Sequence, residues 1–260
     1  MPSLSIAGRP YFYEDVGSGV PLLLLHGFPF TSESFWPQLA RPPAGVRLIV
    51  PDHRGFGRSA LAPGVSTMEA MAEDALALLD ALKLDAAFVG GVSMGGYVSI
   101  ALTRLDPGRV KGLVLIDTQS LPDDDAGKAR REATALDVEQ HGVGGLVEGM
   151  LPRLLAPSAA PELKARVERL MRAQSPAAVA AAARGMATRT DGKDILSRFG
   201  NPCVVIVGDQ DVITPPEKAK VMHELVGGSQ LEIVANAGHL VNLEQPDAFR
   251  QIVERFTAGR

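Results

Sequence analysis

Short apolar runs bounded by Gly, Pro or Asp recur along the chain, at residues 21–25, 46–50, 86–90, 112–116, 203–207 and 231–234. Their apolarity is nearly continuous rather than alternating, which is how strands look when both faces of a parallel sheet are covered. Helical spacing fills most of the intervals. In residues 67–84 the apolar positions Met68, Met71, Ala75, Leu78, Leu79 and Leu82 lie on one face, and Ser66 with Glu69 reads as a capping box. Residues 215–226 and 246–256 have the same character, the first opened by Thr214 as cap and by proline in the first turn. Strands alternating with helices predict an α/β protein with a doubly wound, mostly parallel sheet.

One stretch breaks the rhythm. Between the strand ending near Asp117 and the strand starting near Cys203, residues 119–197 offer no convincing strand, are rich in Ala, Arg, Glu and Leu, and are nearly all alanine over 177–183. They predict a helical cap inserted into the core, so that residues 1–118 and 198–260 form the two parts of one α/β unit. A length of 260 residues suits a single large unit of this kind.

Charge and cysteine usage narrow the setting. The 26 Lys and Arg against 30 Asp and Glu, without long charged blocks, speak against nucleic acid as a partner. Asp123, Asp124 and Asp125 read as a solvated loop rather than a metal site, because no His or Cys is spaced to join them. The densest apolar run, Leu22 to Leu25, is far shorter than the roughly 20 residues a membrane helix needs. Residues 1–10 lack the basic-then-apolar pattern of a secretory signal, and Cys203 has no partner cysteine, so a cytoplasmic location is expected. Cys203 opens a strand and reads as a small buried hydrophobe. Oligomeric state leaves no trace in the pattern.

The chemistry gathers around Gly91-Val92-Ser93-Met94-Gly95, a G-x-S-x-G sequence between a strand pattern and the helical segment 97–105. A serine on that sharp turn is held strained and exposed at the end of the strand. A serine hydroxyl is a weak nucleophile at neutral pH and needs a base, and the base needs an orienting acid. His239, on a loop after the last strand, supplies the first, whereas His223 lies inside a helical pattern. Asp211, at the end of Gly208-Asp209-Gln210-Asp211, supplies the second, with Asp209 and Asp117 as rivals.

Five motifs now stand in order: His26-Gly27-Phe28-Pro29, then Asp52-His53-Arg54-Gly55-Phe56-Gly57-Arg58-Ser59, then Gly91-Val92-Ser93-Met94-Gly95-Gly96, then Gly208-Asp209-Gln210-Asp211 with Pro215, and Gly238-His239. In these the chain resembles the α/β-hydrolase family, over nearly its whole length except the cap. The resemblance implies an α/β-hydrolase fold with Ser93 as nucleophile on a nucleophile elbow, Asp211 as acid and His239 as base of a catalytic triad. It implies an oxyanion hole formed by the backbone amides of Phe28 and Met94. It also implies a small-molecule ester or lactone and water as reactants, with no cofactor and no metal. The local look is that of serine carboxylesterases, enol-lactonases and cofactor-free perhydrolases. Carbon–carbon bond hydrolases and a ligand receptor that retains the triad are the alternatives. His26, Asp52 and Arg54 read as loop scaffolding. Phe28, Met94, Trp36, Ile213 and Leu240 are the pocket candidates, and one of Arg153, Arg166, Arg184 and Arg189 in the cap could hold an acidic substrate.

Overall fold

A computed structural model describes residues 3–260. The chain begins with strands β1 (Ser3–Ile6), β2 (Arg9–Gly17) and β3 (Val20–Leu25). It continues through α1 (Trp36–Ala40), β4 (Val46–Pro51), α2 (Met68–Ala81), β5 (Ala87–Val92), α3 (Met94–Leu105) and β6 (Val110–Ile116). Five helices follow without an intervening strand: α4 (Asp125–His141), α5 (Gly144–Leu154), α6 (Pro161–Arg172), α7 (Pro176–Ala187) and α8 (Lys193–Ser197). The chain ends with β7 (Cys203–Gly208), α9 (Pro216–Leu225), β8 (Gln230–Val234), α10 (Val241–Glu244) and α11 (Pro246–Thr257).

The eight strands form one sheet in the order β1-β2-β4-β3-β5-β6-β7-β8. β2 runs antiparallel to β1 and β4, and every other pairing is parallel. Successive residues of the central strands bury on opposite faces. Leu23, Leu25, Val89, Leu113, Leu115 and Val205 pack with α2, α3 and α9. Leu22, Leu24, Val114, Ile116, Val204 and Ile206 pack on the other side, against α11 with its stripe Phe249, Ile252, Val253 and Phe256. Two-sided burial is thus the physical reason the strands lack alternation. Truncating one of these fully buried leucines, such as Leu24, to alanine costs about 2–5 kcal/mol.

The structure corrects the expected strands and helix caps in four places. β1 and β2 add an antiparallel pair where no strand was expected. β8 is half-exposed rather than buried, because it is the edge of the sheet and has one neighbour. Thr67, not Ser66, caps α2, its hydroxyl accepting the Ala70 amide at 3.1 Å. Thr214 does not cap α9, since its hydroxyl is turned to Asp211.

The path of the chain also locates a crevice. It moves outward from β3 to β4 and then crosses back to lay β5 on the other side of β3. Open parallel sheets bind ligands at the carboxyl ends of the strands where such a reversal occurs. Here those ends carry the loop 26–31 and the turn around Ser93. Among the described residues no helix is long and apolar enough to cross a membrane.

Candidate active site

Ser93 joins β5 to α3 with φ 54° and ψ −112°, a left-handed conformation that costs a non-glycine residue about 1–3 kcal/mol. The surroundings hold it there. Its amide donates to the Ile116 carbonyl at 2.9 Å, and its own carbonyl accepts from the Thr118 hydroxyl at 2.8 Å. The flanking glycines permit the sharp turn by absence of bulk: a Cβ on Gly91 would fall 2.2 Å from the Gly95 backbone, and one on Gly95 would fall 2.1 Å from the Leu25 carbonyl oxygen. The loop after β3 lies against the same turn, since a Cβ on Gly27 would come within 3.5 Å of Ser93 Cβ.

Asp211 and His239 are both buried, and the structure brings them together across 28 residues of chain. Asp211 is a convergence point for donors. Oδ1 accepts the amides of Ile213 and Thr214 at 2.7 and 3.0 Å, while Oδ2 accepts the Thr214 hydroxyl at 2.7 Å and His239 Nδ1–H at 2.8 Å. An ionised carboxylate only accepts, so the proton of neutral His239 sits on Nδ1 and the lone pair is left on Nε2. Nε2 has no hydrogen-bond partner among the described residues, the Ser93 hydroxyl included. Such bonds are often long before substrate binds and tighten afterwards. Burial alone would push the His239 pKa down, but the charge and hydrogen bond of Asp211 outweigh it and raise it above the ordinary value. Burial likewise works against the Asp211 charge, and the His239 charge and bond, with the Thr214 donors, hold its pKa low.

The rival acids are engaged elsewhere. Asp209 is exposed and accepts the Ala237 amide at 3.3 Å. Asp117 is fully buried, with Oδ1 accepting the Gly208 amide and Oδ2 the Val241 amide, each at 3.0 Å. Burial and then the neighbouring Asp211 charge lift its pKa to about 7. Asp117 therefore ties the ends of β6 and β7 to the start of α10, and its carboxylate bonds these amides rather than His239.

The scaffolding residues are placed as their sequence context suggested. The backbone amide of His53 donates to His26 Nε2 at 3.0 Å, so His26 Nδ1 carries the proton it donates to the Gly27 carbonyl at 2.9 Å. Burial drives the His26 pKa down to about 4, which keeps the ring neutral in this bridging role. Asp52 accepts the Ser32 and Arg58 amides at 2.7 and 3.0 Å. Arg54 pairs with Asp74 at 2.6 Å. The Phe28–Pro29 peptide is cis. The Cys203 thiol is buried, and burial pushes its pKa up to about 12.

A cavity of about 590 Å³ opens between these strand ends and helices α4 and α5. Phe28, Ile213 and Thr214 line its inner side, and Leu146, Gly149, Met150 and Arg153 of α5 line the opposite side. Three pocket candidates lie outside it. Met94 and Leu240 are buried in the core clusters, and the Trp36 ring is covered by the Arg166 guanidinium at 3.8 Å. Aliphatic and aromatic side chains beside strands go to the core, and these three obey that tendency. Asp123 is not a solvated loop residue, since it pairs with Arg131 at 3.1 Å and Arg189 at 2.8 Å. Asp124 caps α4 through the Gly127 amide at 2.7 Å. Among the described residues no group of three or more His, Cys, Asp and Glu side chains could hold a metal ion.

Three contributors escape sequence reasoning. Thr214 supports Asp211, and its spacing three residues on is the one available signal. Thr118 locks the Ser93 carbonyl. Glu244 accepts the Ala156 and Gly238 amides, both at 2.7 Å, and so fastens the segment after α5 to the His239 loop. No local pattern announces it.

The sheet, the crossing point and the residues gathered at its carboxyl edge define the class of protein as an α/β enzyme scaffold with its candidate site on loops. The chain belongs to the α/β hydrolase fold family, whose model matches residues 20–246. It is similar to a thermophilic esterase from Thermogutta terrifontis solved with malate bound, at 38% identity and a TM-score of 0.94, with 98% of this chain and 96% of that one covered. An esterase from Exiguobacterium antarcticum is 26% identical with a TM-score of 0.86, covering 97% of each chain. The 3-oxoadipate enol-lactonase 1 of Acinetobacter baylyi is 28% identical over 230 residues, which cover 87% of this chain and 84% of that protein.

Proposed function

We propose that the protein is a serine hydrolase that cleaves carboxylic esters or lactones of small molecules through an acyl-enzyme, with residues 119–197, which carry helices α4–α8, as the cap over the site. The observation that carries this reading is the buried Asp211–His239 pair, which fixes the Nδ1–H tautomer and leaves Nε2 unpartnered. The strained backbone of Ser93 at the carboxyl end of β5 and the esterase and enol-lactonase relatives add support.

In this reading His239 Nε2 takes the Ser93 proton as Oγ bonds to the substrate carbonyl carbon, and the carbonyl electron pair moves to oxygen. The amides of Phe28 and Met94 hold that oxyanion; one such donor is worth about 10²-fold or more in rate. Collapse breaks the bond to the alkoxy oxygen, which receives the proton from His239. Water then attacks the acyl-enzyme with His239 again as base, releasing the acid and restoring Ser93. The strain at Ser93 keeps its hydroxyl clear of α3, and the charge of Asp211 stabilises the transient imidazolium. The reading is tested with p-nitrophenyl esters from acetate to octanoate and simple lactones on the wild type and Ser93→Ala. Hydrolysis that disappears in the variant supports it; equal hydrolysis by both proteins rejects it.

A further inference from the structure

Of the four cap arginines singled out by the sequence, three are already engaged. Arg166 covers Trp36, Arg184 forms paired bonds with Glu132 and Glu139, and Arg189 binds Asp123 and the Leu121 carbonyl. Arg153 makes no hydrogen bond or ion pair among the described residues, yet it lines the cavity together with Phe28, Ile213 and Thr214. Its position is fixed by main chain. The His239 amide donates to the carbonyl of the next residue, Leu154, at 2.9 Å, and Glu244 clamps Ala156 to Gly238. The guanidinium's charge accordingly reaches His239, where it opposes protonation.

The charge of the cavity wall points the same way. Asp123 is neutralised by Arg131 and Arg189, which leaves the Asp137 carboxylate, hydrogen-bonded to His141 at 2.9 Å, against the two guanidinium groups of Arg130 and Arg153. Arg130, also on the wall, has no side-chain partner among the described residues. An uncompensated guanidinium beside an apolar floor is suited to a planar anion, which it meets with two parallel N–H donors. Gly149, one turn before Arg153 on the same face of α5, has nothing within 4 Å of where its Cβ would be, so the cavity is open at that point of the helix.

We infer that Arg153 is a specificity-determining residue that binds a carboxylate carried on the acyl part of the substrate, so the preferred esters or lactones are those of acids bearing a second, ionised carboxyl group. The inference rests on the serine-hydrolase reading for where the ester sits, and it deepens that reading by naming the substrate class. Arg153 selects; Ser93 and His239 do the chemistry.

The test compares mono-p-nitrophenyl esters of linear dicarboxylic acids, succinic to suberic, with the same esters methylated at the free carboxyl. The readout is the ratio of kcat/KM for the charged over the neutral ester. A charge-assisted bond to an exposed guanidinium predicts a ratio of about fivefold at the best chain length. The ratio falls to about one in Arg153→Gln, is partly kept in Arg153→Lys, and falls below one in Arg153→Glu. Arg166→Gln leaves it unchanged. Calorimetric binding of glutarate and suberate gives a second readout that needs no turnover, with affinity lost in Arg153→Gln. A wild-type ratio near one, or a ratio and diacid affinity that survive in Arg153→Gln, overturns the inference. Diacid binding that depends on Arg153 without ester cleavage by Ser93 keeps the anion subsite and rejects the hydrolase reading instead.

Discussion

Replacing Asp211 by asparagine isolates one feature of the site, the proton position on His239. Asparagine is the same shape, and its amide oxygen can keep the Ile213 and Thr214 amides that Oδ1 now accepts at 2.7 and 3.0 Å. Its NH2 group then takes the place of Oδ2. The Thr214 hydroxyl can rotate and accept from it, so the fold is preserved. His239 cannot adapt without consequence: an NH2 donor facing Nδ1 forces that nitrogen to accept, the proton moves to Nε2, and the lone pair needed for Ser93 is gone. A wrong-tautomer histidine of this kind lowers kcat by about 10⁴, or about 5 kcal/mol in activation free energy. The assay is steady-state hydrolysis of the best p-nitrophenyl ester, with Tm and circular dichroism confirming an intact fold. Two comparisons sharpen it. Asp209→Asn keeps an acceptor for the Ala237 amide and leaves kcat within about threefold. Asp117→Asn presents an NH2 group to one of two buried amides, so it loses about 1–3 kcal/mol of stability. A folded Asp211→Asn protein losing less than about tenfold in kcat would refute the reasoning, and a larger loss in Asp209→Asn would reassign the acid.

Other expectations follow from the same geometry. The base must be neutral, so kcat/KM rises with pH through the His239 pKa; Asp211 raises that pKa, and the acid limb lies above the ordinary value of 6.5. In Asp211→Asn the two largest opponents of burial are lost and only the Asp117 charge still raises the pKa, so the limb moves to lower pH, which a pH–rate profile reads directly. Gly149→Leu fills open space in the cavity without displacing a neighbour, so the ester chain-length optimum shortens while Tm holds or rises. Gly95→Ala drives a Cβ to 2.1 Å from the Leu25 carbonyl, and loss of about 3 kcal/mol or more, with loss of activity, is expected in urea unfolding and ester assays.

Much of this arrangement is legible in the chain because burial on both faces leaves an unbroken apolar signature, as in Leu22 to Leu25 and residues 203–207. The antiparallel pair β1–β2 escapes it: these strands carry Arg9, Glu14 and Asp15, and their pairing is decided by the hairpin and the edge of β4 rather than by apolar content. The turn glycines, and the segments Gly208-Asp209-Gln210-Asp211 and Gly238-His239 that carry the buried pair, are readable because each is a local constraint. Pocket membership is not local. Trp36, Met94 and Leu240 have pocket-like chemistry but are claimed by Arg166 and by the two cores, and only tertiary packing decides that. The same holds for Arg153, Arg166, Arg184 and Arg189, which differ in the partners that the fold brings to them and not in their sequence neighbourhoods.

The central claim is that Ser93 is the nucleophile activated by His239. The direct measurement is reaction with a fluorophosphonate followed by peptide mass spectrometry. One adduct per chain is expected, on Ser93, formed much more slowly in Asp211→Asn and absent from Ser93→Ala. An ester-hydrolysing wild type that carries no adduct on Ser93, or carries it on another residue, would contradict it.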